Sequence, residues 1–348
     1  MAVTNVVTGS LDTAQAGDKG LKSVAFGGLV REDVMDQIWD ISNIPLPLTE
    51  AIGSDTHDNE YCEWVVDELA DPITTNAVID GDDIAQDNSK LGERQGNHSQ
   101  ISVKEVRVSQ RAQKSNVIGG NALSYQIINR QRELRRDVEA TALSENLSVA
   151  DNGTVAGQSG GLASWIKTAV ANGTGGGFDP ATGLTTAPTA TKAAMTETMV
   201  RDVTQTMYEN GAMPGMMMSV PTVIRRFSEY LFTSSARVGT ITNDQGATTS
   251  SMVANGSVNV FVTDFDVVLD LIPNRIQRLE SDDSANVYIL DPSYLDLSML
   301  EGYRIEPLAK TGLADKRMMK VDWSLKVRNE KAQGCIFHVD PTLAVTQA

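Results

Sequence analysis

The longest stretch without a helix breaker runs from about Gly119 to Leu147, GGNALSYQIINRQRELRRDVEATALSENL. It has no proline, and no glycine after Gly120. At 1.5 Å per residue it predicts a rod of about 40 Å. Leu123, Ile127, Leu134, Val138 and Ala142 mark one apolar stripe at helical spacing. Arg130, Arg132, Arg135 and Arg136 stand on the opposite face with Glu133, Asp137 and Glu139. Opposite charges three and four apart support a helix locally, so this reads as a solvated face rather than a nucleic-acid surface. The helix is expected to be a spine, with a strand-rich arm before it and a mixed α+β body after it.

The flanking segments follow from their patterns. Residues 1–27 are small and polar, an extended arm. Val30, Val34, Ile38 and Ile41 predict a short amphipathic helix, stopped before Pro45 and Pro47. EYCEWVV at 60–66 alternates as a strand, with Cys62, Trp64 and Val66 on one face. ISVKEVRV at 101–108 reads as its partner, its apolar phase slipping near Lys104 in a way that predicts a bulge or a change of buried face. Residues 67–94 carry eight acids against Lys90 and Arg94. Such a polar insert between two strands predicts a hairpin arm that leaves its own body, with Trp64 and Tyr61 seeking burial on another subunit.

LASWIKTAVA after the spine predicts a short helix, and 172–190 a glycine-rich connector. A helix is expected over 191–209 on the spacing of Met195, Met199, Val203 and Met207, closed at Asn210-Gly211. Met216 to Val220 reads as a strand, Pro221 as the first residue of a helix, and 236–257 as a loop. Met319, Val321, Trp323, Leu325 and Val327 alternate with Lys320, Asp322, Ser324 and Lys326, the signature of a half-buried antiparallel strand. YRIEPLAK and GCIFHV are expected beside it in a meander.

The chemistry-bearing residues are sparse. His57, His98 and His338 stand apart in sequence, with no ligand spacing, so no metal is expected. The acidic run at 80–88 has Ile84 and Ala85 where a calcium loop needs a ligand and glycine. GTGGGF at 173–178 lacks the phosphate-loop ending. Ser164-Trp165-Ile166-Lys167, Ser284-Ala285-Asn286 and Lys310-Thr311-Gly312 imitate the order of a serine acyl-enzyme. The last two lie too close together, and no catalytic residue or cofactor is assigned. With 29 basic against 45 acidic residues, net −16, and 5% aromatics, the chain lacks both the charge and the stacking surface of a nucleic-acid binder. Cys62 and Cys335 point to a reducing compartment. Neither a signal peptide nor an apolar run long enough for a membrane span is apparent.

The segment RIEPLAKTGLADKRMMKVDWSLKVRNEKAQGCIFHV is similar to the closing segment of tailed-phage major capsid proteins. The similarity rests on Leu308 to Gly312, the turn with Asp315 and Lys316, the strand through Trp323 and Leu325, then Arg328 to Ala332 and Gly334. The resemblance implies an N-terminal arm (1–45), an extended two-stranded loop (46–112), a spine helix with peripheral domain (113–158), an axial domain (159–290) and C-terminal peripheral strands (291–348). It implies a structural, non-enzymatic subunit of a virion shell enclosing double-stranded DNA, built in the host cytoplasm from pentamers and hexamers that mature from a procapsid. Scaffold, portal and decoration proteins would be separate chains. A shell of weak contacts is held by multivalency. An encapsulin-like compartment is the alternative. Some relatives cross-link subunits through lysine and asparagine; Lys90 is the lysine between the two arm strands, and Asn329 is one partner that the resemblance would allow it.

Overall fold

A computed structural model describes residues 45–70, 72–75, 77–81, 91–115, 121–235, 260–310 and 312–346. The expected helix around Val30–Ile41, the 236–257 loop, most of the acidic run and Lys90 lie outside these residues. The chain opens with a short helix α1 (Pro47–Ala51), then strands β1 (Gly53–Thr56), β2 (Tyr61–Val66), β3 (Glu93–His98) and β4 (Gln100–Ser109). Helices α2 (Gln110–Lys114), α3 (Ala122–Ala142) and α4 (Leu162–Trp165) follow. Next come β5 (Ala169–Ala171), β6 (Gly177–Asp179), β7 (Leu184–Thr186), α5 (Glu197–Glu209), β8 (Met216–Ser219) and α6 (Pro221–Ser235). The last third holds β9 (Val260–Val262), β10 (Val268–Pro273), β11 (Ala285–Leu290), β12 (Leu295–Pro307), β13 (Ala314–Val327) and β14 (Gln333–Val339).

The spine is α3. Asn121 caps it by accepting from the backbone N–H groups of Leu123 and Ser124, the side-chain satisfaction that a first helical turn requires. Leu134, Val138 and Ala142 are buried as the stripe predicts. Glu139 is also fully buried, against its placement on the polar face; its partners are described below.

Two sheets flank this helix. The four-stranded sheet has the order β1-β12-β13-β4, and the six-stranded sheet β5-β14-β11-β8-β10-β9. The strand at 319–327 is as its alternation demands: Met319, Val321, Trp323, Leu325 and Val327 are each at most 2% exposed. Only half of the expected meander forms. β12 is an antiparallel neighbour of β13, whereas β14 leaves to pair with β11 and β5 in the other sheet. The second neighbour of β13 is β4.

The six-stranded sheet carries a core on each face. Met216, Met218, Tyr288, Leu290, Cys335 and Phe337 face the spine and the four-stranded sheet. Met217, Val287, Ile289 and Ile336 face α5 and α6, against Val203, Met207, Val223 and Phe227. Every residue of β8 and β11 is buried, as strands covered on both faces must be.

Several local expectations change. The 60–66 strand pairs with β3, from Tyr61 opposite His98 to Val66 opposite Glu93, not with 101–108. β4 shows neither bulge nor face change: its register with β13 is continuous. Val106 and Val108 point inward while Ile101 and Val103 stay exposed. Of LASWIKTAVA only 162–165 is helical, and 169–171 is a strand. The 191–209 helix begins at Glu197, where Thr196 accepts from the Met199 N–H. The glycine-rich segment is built in rather than a loose connector. A Cβ on Gly175 would lie 2.4 Å from the Ile166 carbonyl oxygen, and one on Gly176 2.4 Å from that of Thr186. Only glycine lets these backbones meet.

Candidate assembly surface

The β2–β3 hairpin has a fixed root and an unburied reach. At the root Trp64 packs on Trp165 with ring centroids 5.3 Å apart, and Trp165 stacks on Phe178 at 5.6 Å. The Tyr61 hydroxyl donates to the Gly183 carbonyl at 2.9 Å. Asn97, fully buried, donates to the Leu325 carbonyl at 2.7 Å and accepts from the Gly160 N–H at 2.9 Å. Trp64 is buried and Tyr61 half-buried within their own chain, which corrects their assignment to a neighbouring subunit; the Trp64 indole N–H has no hydrogen-bond partner among the described residues. Beyond the root, Leu69, Val78 and Leu91 are 94%, 85% and 99% exposed, and Ile73 and Ile79 are also exposed. Lys331 grips Glu68 at 2.6 Å where the hairpin leaves the body. Exposed apolar side chains gathered in the segment between two paired strands mark a surface made for contact.

The orientation of the N-terminal segment depends on Glu139. Its Oε1 accepts from the Leu48 N–H at 3.1 Å and from Asn274 Nδ2 at 2.8 Å. Its Oε2 accepts from the Thr49 N–H at 2.9 Å and from the Thr49 hydroxyl. One carboxylate thus holds the first turn of α1, the spine and the segment after β10. No periodicity signals this, because the donors lie about 90 and 135 residues away.

A second polar cluster joins the end of the spine to the six-stranded sheet. His338 Nδ1 lies 2.9 Å from Asp282 and Nε2 3.2 Å from Glu145. Asn286 Nδ2 donates to Glu145 at 2.9 Å and to Glu280 at 3.3 Å. Burial, then the charge of Glu145, pushes the Glu280 carboxyl up to about 7. Burial opposes protonation of His338, but Asp282 and Glu145 outweigh it and its pKa is raised. Hydrogen bonding from Ser284 leads in holding Asp282 down to about 2. His57 lies between Ser298 at 2.9 Å and Ser99 at 2.7 Å, and His98 packs on Tyr61; burial lowers the pKa of both.

The serine-enzyme pattern falls apart in space. The Ser164 hydroxyl is buried and donates to the Gly161 carbonyl at 2.8 Å, while Lys167 is exposed. Ser284 bonds Asp282, and Lys310 pairs with Asp315. Both cysteines are buried and unbridged. Among the described residues no group of three His, Cys, Asp or Glu side chains is arranged to hold a metal ion.

The family model described as SU10 major capsid protein matches residues 6–340 of the sequence. The chain belongs to this family. Major capsid proteins form the shell of the virion, so the projecting hairpin of this SU10-type capsid protein belongs to an assembling subunit. Its fold is that of tailed-phage capsids. The capsid of a native GTA particle superposes with a TM-score of 0.59 at 11% identity, covering 91% of this chain and 98% of that one. The Cyanophage A-1(L) capsid also gives 0.59 at 11% identity, over 90% and 98%. The holo-SrpI encapsulin complex from Synechococcus elongatus gives 0.56 at 12% identity, over 94% and 98%. No curated protein matches the sequence. An encapsulin and phage capsids share this architecture, so the fold alone does not separate them, and the family match places this chain with the capsids.

Proposed function

We propose that this capsid protein builds an icosahedral head from pentamers and hexamers around double-stranded DNA, which it encloses without reading sequence. The proposed division keeps 1–45 as N-terminal arm, 46–112 as extended loop, 113–158 as spine with peripheral domain, 159–290 as axial domain and 291–348 as peripheral strands. Within that division β14 serves the six-stranded sheet. Scaffold, portal and decoration functions fall to separate chains, assembly takes place in the host cytoplasm, and a procapsid matures into the final shell.

The observation that carries this reading is the hairpin. Beyond Val66 and Glu93 it exposes Leu69, Ile73, Val78, Ile79 and Leu91, and a segment of that kind gains stability only by covering a second subunit. A net charge of −16 suits a container whose lining must release its polyanion.

The test removes residues 70–91, closes the hairpin with a short turn, and co-expresses the chain with its neighbouring genes. Negative-stain microscopy should show shells from the wild type and folded, unassembled subunits from the deletion. Normal shells from the deletion would sink the assignment. Shells formed by the chain alone, without scaffold or portal, would favour a compartment of the encapsulin type.

A further inference from the structure

A groove of about 690 Å³ runs between the spine and the segment after β10. Arg136 of α3 lines one wall, Arg275 and Arg278 the other, and Lys104 of β4 also contributes to the lining. The two carboxylates on the spine wall are engaged: Asp137 binds Lys104 at 2.6 Å, and Glu133 binds Arg130. Arg136, Arg275 and Arg278 have no ion pair or hydrogen bond among the described residues, in a chain of net charge −16. Arg275 and Arg278 are exposed while Ile276 and Gln277 between them are buried.

That spacing is held from below. Asn274 Oδ1 accepts from the Ile276 N–H at 2.8 Å and the Gln277 N–H at 3.3 Å. Asn274 Nδ2 is fixed by Glu139 of the spine. The guanidinium groups are thus carried on a braced turn. Guanidinium forks match carboxylates in a bidentate fashion, and a preformed donor set loses less on binding.

We propose that this groove receives the acidic run 80–87 of a neighbouring copy, where Asp80, Asp82, Asp83 and Asp87 occur with no basic residue among them. The inference rests on the shell-forming reading and adds to it a receptor for the arm. Subunits of net charge −16 repel one another, and a place where acid of one copy meets unpaired base of the next offsets that repulsion and fixes the register of the contact. Nucleic acid fits less well. A duplex presents a charge about every 1.7 Å, and it would meet Glu133 and Asp137 on the same wall as Arg136. A short acidic run, broken by Gly81 and by Ile84 to Gln86, can pass those two acids.

Two variants test the contact in trans. One carries Arg275→Glu with Arg278→Glu, the other Asp82→Lys with Asp83→Lys. Arg275 and Arg278 are exposed and lie outside the core clusters, and unchanged melting curves of both variants check that the subunits still fold. Neither variant alone should give shells under conditions where the wild type does. Combined in one chain, the four substitutions let the basic arm of every copy meet the acidic groove of the next, in five-membered as in six-membered rings, so shells should return. Wild-type assembly by either variant alone, or no recovery in the combined variant, overturns the proposal; so does free co-assembly of the combined variant with wild type, which a contact within one chain would allow and a contact in trans would not.

A labelled peptide of residues 77–92, followed by fluorescence anisotropy, tests the groove without any shell. Charge reversal at Arg275 and Arg278 should weaken its binding by roughly tenfold or more, the factor equivalent to about 1.4 kcal/mol. Equal binding to both proteins, or tighter binding of a DNA duplex than of the peptide, also overturns it. A wild type that never assembles counts against the shell reading instead, and the peptide result then decides the groove separately.

Discussion

Glu139→Gln is the most informative single substitution. It keeps the volume of the side chain and changes only which atoms can accept a hydrogen bond. Each carboxylate oxygen accepts twice: Oε1 from Leu48 and Asn274, Oε2 from the backbone and hydroxyl of Thr49. An amide has one oxygen and an NH2 that cannot accept. Whichever way the amide is turned, two donors lose their acceptor and face two more donors. A buried donor left without a partner costs about 1–3 kcal/mol, so the substitution should cost roughly 2–6 kcal/mol. Turning the NH2 toward Thr49, whose groups are partly exposed, lets water relieve part of the loss and sets the lower figure. In a chain of this size the same range lowers Tm by on the order of 3–8 °C. Urea unfolding of the soluble subunit should show a lower midpoint with little change of slope. Limited proteolysis should open first around residues 45–52, because α1 loses its anchor. A Glu139→Gln subunit within about 0.5 kcal/mol of wild type, the range of ordinary surface changes, would refute the reasoning.

Other consequences are checked as directly. The Glu280 carboxyl is raised in the fold to about 7, so its protonated form is the one the fold favours. Its contribution to stability is full below its ordinary range near pH 4.5 and is lost as pH rises through about 7; the raised His338 acts in the same direction at higher pH. Melting temperatures from pH 5 to 8 should therefore fall more steeply for wild type than for Glu280→Gln. Gly176→Ala should cost roughly 1–3 kcal/mol by overpacking against the Thr186 and Ser164 carbonyls, read as a fall in Tm. Trp64→Ala should lose about 3–5 kcal/mol at the hairpin root, with near-ultraviolet circular dichroism reporting the broken contact with Trp165. Native protein should react with a thiol reagent only slowly, both cysteines being buried, and should migrate identically on reducing and non-reducing gels.

What could be read from the sequence depended on how many faces an element shows to water. β13 has one wet face, and its five alternating apolar residues place it unambiguously. β8 and β11 are dry on both faces, so MMMS and ANVYIL have no period to read. β4 was legible as a strand, but its partner was not: Ile101 and Val103 face solvent, which breaks the rule that apolar positions point inward. The hairpin was legible in outline from Trp64 and the acidic insert. Its partner strand ERQGNH has no apolar side chain and is held by Asn97 and by Gly96 beneath the Tyr61 ring, features that carry no periodic signal. Glu139 and the His338 cluster were invisible for a related reason. Their partners come from distant parts of the chain, and a lone acid on a helix looks the same whether it meets water or a backbone amide.

The strand order also sets a timetable for synthesis. β1 aligns Gly53 with Asp296, and β4 aligns Ser109 with Ala314, so the outer strands of the four-stranded sheet wait for partners made about 200 residues later. β14 in turn inserts between β5 and β11 in the other sheet. A ribosome that has released two thirds of this polypeptide holds a spine helix with neither sheet complete. Contacts of such long range fold slowly, and the open edge of β4 stays available for wrong pairing until the last hundred residues emerge. A subunit whose β12 and β13 are not yet made has no complete four-stranded sheet to offer its neighbours.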